Sequence, residues 1–137
     1  VIWIKRDLNE QADALCNAAM NAKRSWRTAW PPPHWFNLAE HGFLALSDGG
    51  YRGPGCSAVG WITYYVGAPS QTIQIEPMAA GTEFFSQGVN DSFLAEVSAL
   101  DACIEHLYRY IHRRVYAQGI PSQYWLLIYA LCRSQKV

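Results

Sequence analysis

The sequence predicts a mixed α/β fold of the α+β kind, with elements in the order strand, helix, connector, three strands, helix, strand. Residues 57–66 (S-A-V-G-W-I-T-Y-Y-V) are rich in β-branched and aromatic side chains, which suit a half-buried strand. Residues 124–130 (Y-W-L-L-I-Y-A) form an unbroken apolar run, as expected of a central strand covered on both faces. Ala12, Leu15, Cys16, Ala19 and Met20 recur at i, i+3, i+4, i+7 and i+8, the period of an amphipathic helix.

The remaining elements follow in order. Residues 1–5 read as a short buried strand. Asn9 then caps the first helix, with Glu10 in its first turn. Residues 21–40 carry Trp26, Trp30, Trp35, Phe36 and the run Pro31-Pro32-Pro33, which cannot continue a helix. This stretch is a connector that packs on the body through its tryptophans. Residues 43–47 form a strand, 49–55 a glycine-rich turn, and 57–66 the next strand. A third strand starts at 72–75 and runs raggedly towards Phe85, so short turns make an antiparallel meander. From about Ser92, Phe93, Val97, Leu100, Ile104, Leu107 and Ile111 mark the core stripe of a long helix. Asp91 or Ser92 caps it, and Gly119-Ile120-Pro121 stops it.

Composition narrows the function classes. The chain has 137 residues, of which 50% are hydrophobic and 16% charged, as in one folded domain with a real core. Lys plus Arg and Asp plus Glu are both 11, and this zero net charge argues against an indiscriminate basic coat while leaving room for a local basic face. Cys16, Cys56, Cys103 and Cys132 lie far apart without a C-x-x-C pair, which points to reduced thiols in an intracellular protein. No apolar run approaches the ~20 residues of a membrane span, so no membrane partner is expected. The strand-like start V-I-W-I suggests a piece of a longer product.

Three acids stand in informative places. Residues 46–50, L-S-D-G-G, put Asp48 at the end of an apolar run and before two glycines. An acid at a strand tip can hold a metal near a phosphate, although D-G-G also makes an ordinary turn. Glu96 lies on the apolar side of the long helix, where a carboxylate is costly unless paired, protonated or bound to a metal. Asp13, in the first turn of its helix, is accounted for by the macrodipole alone, worth ~0.3–1 kcal/mol. His106 and His112 lack a metal-type partner, and no Ser or Cys sits in a nucleophile motif.

The surroundings of these acids carry a resemblance. Residues 3–21, W-I-K-R-D-L-N-E-Q-A-D-A-L-C-N-A-A-M-N, resemble the last strand and last helix of type 1 ribonuclease H domains, where N-x-x-x-D-x-L-A-x-x-A-M holds the final catalytic Asp. Residues 47–64, S-D-G-G-Y-R-G-P-G-C-S-A-V-G-W-I-T-Y, resemble that family's opening strand, turn and second strand. Residues 91–100, D-S-F-L-A-E-V-S-A-L, resemble its first helix. The resemblance implies an RNase H-like fold with a five-stranded mixed sheet and flanking helices. It implies Asp48, Glu96 and Asp13 as catalytic, metal-binding carboxylates. It further implies two Mg²⁺ (or Mn²⁺) at ~3.5–4 Å separation, hydrolysing the RNA strand of an RNA–DNA hybrid. Gly49, Gly50, Arg52 and Ser92 become substrate-binding candidates, Ser92 standing where the family commonly has an Asn. Lys5, Arg6, Arg109, Arg113 and Arg114 are further phosphate candidates, and Tyr51, Trp26, Trp30 or Trp35 could stack on a base or sugar.

Two departures matter. The segment that comes last in the family comes first here. Either residues 1–22 and 43–137 form one circularly permuted domain joined by the connector 23–42, or the chain is cut across tandem domains. At ~3.3 Å per extended residue the connector can span a small domain, and a permuted chain would bring Asp13 to Asp48. The second departure is Leu131, read as standing where the family has another Asp, with Asp91 and Asp101 poorly placed to replace it. Leucine ligates no cation, so a second metal would be held weakly. The sequence therefore supports an RNase H-like nuclease and, as the other reading, a catalytically weakened or inactive nucleic-acid-binding or structural module of a larger protein.

Overall fold

The computed structural model describes residues 2–3, 9–38, 40–118 and 128–132, with side chains described for 9–38 and 40–113. Its elements are β1 (Ile2–Trp3), α1 (Glu10–Ala22), β2 (Trp26–Ala29), β3 (Gly42–Tyr51), β4 (Ser57–Gly67), β5 (Gln74–Phe85), α2 (Ser92–Gln118) and β6 (Ile128–Cys132). The fold is α+β. Strands β3, β4, β5 and β2 form an antiparallel sheet, and β6 and β1 extend it in parallel beyond β3, giving the order β1-β6-β3-β4-β5-β2.

The expected meander is present as β3-β4-β5, but among the described residues the sheet has six strands where five were expected. The extra one, β2, comes from the supposed connector, where Trp26–Ala29 pairs with residues 79–82 of β5. Trp30 N–H still donates to Met78 O at 2.9 Å, and the following prolines end the ladder because they have no N–H to give. Pro77 sits where the β4–β5 register shifts, a position that tolerates a missing donor. Residues 124–127 and 119–121, expected as strand and helix stop, lie outside the described residues.

Helix α2 also differs from expectation. Its buried row is Ala95, Ala99, Cys103 and Leu107, whereas Phe93, Val97 and Ile104 are 70%, 46% and 43% exposed. The reason is proximity. A Cβ on Gly49 would lie 2.1 Å from Ala95 O, so at its first turns the helix rests directly on strand backbone. Only small side chains fit beneath it, and the larger ones rotate outwards. Farther along, the core on this face is aromatic, with Phe43, Trp61 and Tyr65 under Cys103 and Leu107 and with Trp35 and Phe36 of the connector packed against it. The connector thus does pack through aromatic side chains. On the opposite face, α1 covers β3 and β4 with Cys16, Ala19 and Met20 on Ala58.

Candidate acid cluster

Asp48 lies within β3, one residue beyond the expected strand end. It pairs with Gly60, and Gly49 and Gly50 continue the ladder against Val59 and Ala58. The turn comes later, closed by Arg52 N–H to Cys56 O (2.9 Å) and Cys56 N–H to Gly53 O (3.1 Å). The glycines therefore serve close approach. A Cβ on Gly60 would lie 2.4 Å from Ala12 O and 2.5 Å from Cys16 N, and one on Gly50 would lie 2.6 Å from Met20 Cε. Directly opposed residues share a sheet face, so Asp48 and Gly60 both look towards α1. Asp48 is only 1% exposed.

Several bonds seat the start of α1 over this point. Asn9, the residue before the helix, makes no capping bond with its side chain; its Nδ2 donates across to Ser47 O at 2.9 Å. Tyr64 O–H donates to Gln11 Oε1. Cys16 Sγ–H donates to Ala58 O at 3.2 Å. In this single chain, then, the helix that carries Asp13 lies against the strand that carries Asp48.

Glu96 reaches the same region from the other side of the sheet, its backbone N lying 2.5 Å from where a Gly49 Cβ would stand. Its residue is 7% exposed. The Cys16 thiol reports the convergence. Burial pushes it up to about 12, and the negative charges of Asp48, Asp13 and Glu96 add to the rise while Arg52 opposes it.

Arg52 has a defined place here. It donates through Nη1 to Asn21 Oδ1 (2.6 Å) and through Nη2 to Asn17 Oδ1 (3.1 Å). Asn17 Nδ2 in turn donates to Asp13 O (3.0 Å) and to Asp13 Oδ2 (3.3 Å). The sequence reading named Asn9 only as a helix cap and missed Asn17 and Asn21. A signal existed, since Asp13, Asn17 and Asn21 recur at i, i+4 and i+8, a polar row on one helix face. Ser92 opens α2 as a half-buried residue, and the cap is Asp91, whose Oδ1 accepts from Leu94 N–H at 2.7 Å.

The parallel register revises the reading of Leu131. It pairs with Leu46, and Cys132 pairs with Ser47. Leu131 is thus two residues short of Asp48, and Arg133, two residues farther on, lies outside the described residues. Among the described residues, no three His, Cys, Asp or Glu side chains are set to enclose a cation as they stand. None of the helices described is long and apolar enough to cross a membrane. The chain matches no protein-family model, no curated protein and no solved structure.

Proposed function

We propose that the chain is an RNase H-like nuclease domain in circularly permuted order, acting with Mg²⁺ or Mn²⁺ on the RNA strand of RNA–DNA hybrids. The observation that carries this reading is that α1, which bears Asp13, lies on the strand that holds Asp48, while α2 brings the backbone of Glu96 against the same strand from the other face. It is supported by a sheet whose parallel half, β1-β6-β3, joins an antiparallel half, β3-β4-β5, at the strand bearing Asp48.

The donor set suits a hard divalent cation. Carboxylate oxygens prefer such ions, and crowding of like charges around a buried site is costly until a cation offsets it. Asp48 and Glu96 would be the central ligands and Asp13 the peripheral one. When bound, the metal supplies an activated water and stabilises the leaving oxygen. Asp48, held in the middle of β3, provides the rigid donor. Arg52, through Asn17, orients Asp13.

A second reading, a binding or structural module with weak or absent cleavage, is favoured by the sequence of residues 131–134, L-C-R-S, which supplies no fourth acid. A hybrid-cleavage assay in Mg²⁺ and in Mn²⁺ separates the two. The nuclease reading expects RNA-strand cleavage that Asp48→Asn abolishes. Inactivity of the natural chain, with cleavage gained in Arg133→Asp, would leave the module reading in its place.

A further inference from the structure

Away from the acids, a cavity of ≈ 590 Å³ opens between α2 and the outer strands β5 and β2. That volume is the size of a small-molecule site. Its floor is a row of register partners, Trp61 with Gly81 and Gly81 with Arg27. A Cβ on Gly81 would lie 2.5 Å from Trp61 Cζ2, so the glycine lets the indole lie flat across β5. His106, on α2, covers the indole with ring centroids 4.6 Å apart. The wall is completed by Glu105 and Arg109, paired with each other at 2.7 Å, and Glu83 stands on the floor.

The charges have a pattern. Arg27 lines the cavity and, among the described residues, has no carboxylate within ion-pair distance. Burial, and then the cations Arg27 and Arg113, hold the His106 imidazole below its ordinary value. A guanidinium without an ion-pair partner recognises a phosphate well, because its planar donors match the anion's oxygens. The two carboxylates in the same cavity accept hydroxyl or amino donors and disfavour a second anionic group. Together these features select a ligand with one phosphate and several neutral donors.

We infer that this cavity binds a nucleotide unit, with Arg27 and Arg109 on its phosphate, Glu83 and Glu105 accepting from ribose or base, and His106 beside the base. The unit is either a free nucleotide or one residue of a single strand. Arg27 comes from β2, the strand supplied by the connector, so the site exists only because that segment joins the sheet. Arg27 itself lies three strand spacings from β3, roughly 14 Å at about 4.8 Å each, and the site stands independently of the metal-site reading.

Calorimetric titration of the full chain in EDTA tests this, using inorganic phosphate, a nucleoside 5′-monophosphate and a short unstructured oligonucleotide. Saturable nucleotide binding is expected, weakened roughly tenfold or more by Arg27→Gln and unchanged by Asp48→Asn, as for loss of a charge-assisted bond. Tighter binding of the oligonucleotide identifies a strand as the source, and equal binding identifies the free nucleotide. No saturable binding of any probe, inorganic phosphate binding as tightly as the nucleotide, or an unchanged affinity in folded Arg27→Gln overturns the assignment.

Discussion

On the α2 face of the sheet, Phe36 and Tyr65 meet at 4.6 Å between ring centroids, Phe43 and Tyr110 at 5.7 Å, and Phe43 and Tyr65 at 6.1 Å. The α1 face has none of this bulk near Asp48. There Gly50 and Gly60 bring helix and strand together, and Cys16, Ala19, Met20 and Ala58 fill the narrow gap. The first face buries large apolar surface and carries stability. The second gives up that volume, and in return the helix that bears Asp13 comes close to the strand that bears Asp48.

The largest effects should come from exchanging these designs. Phe43→Ala is expected to cost about 3–5 kcal/mol in denaturant unfolding while leaving native Cys16 unreactive towards thiol reagents. Gly60→Val puts a side chain against helix backbone, so it should destabilise by about 1–3 kcal/mol or more and also expose Cys16 to alkylation. Equal Cys16 protection in folded Gly60→Val would show that the close seat of α1 does not depend on that glycine.

A smaller effect concerns pH. Burial, then Arg27 and Arg113, hold His106 below its ordinary value of 6.5. The unfolded chain therefore takes up a proton at this position first, and stability is lost as pH falls below about 6.5. His106→Asn should flatten that part of the stability–pH curve; an unchanged slope would place the titration elsewhere. The smallest effect tests the helix. Val97→Lys, on the outward row, should change stability by no more than about 0.5 kcal/mol, whereas Ala99→Leu, on the row facing the sheet, should cost about 1–3 kcal/mol by overpacking. The reverse order would restore the stripe first expected from periodicity.

Legibility was uneven for physical reasons. Strands β4 and β5 and both helices were readable because their periodicities and β-branched content are local. Strand β2 was not, because W-R-T-A has no alternation of its own and becomes a strand only when β5 offers an edge. The α2 stripe was misread because the helix has two apolar rows, and period alone does not choose between them. Ala95 and Ala99 win because the strand backbone beneath them leaves no room for Phe93 or Val97. At the acids, the types and spacings at Asp13, Asp48 and Glu96 were legible, while the role of Gly49 and Gly50 was not, since a glycine pair reads as a turn until a helix is found lying on it.

By itself, the sequence determined the α+β class, the meander, the helical segments and the three acids worth watching, all properties of residues near one another in the chain. Tertiary structure alone decided that α1 returns to cover Asp48, that the connector becomes the sixth strand, that Leu131 stands level with Leu46, and that Arg27 faces His106. Those outcomes depend on which backbones can touch, and that follows from glycines and small side chains meeting across elements far apart in sequence.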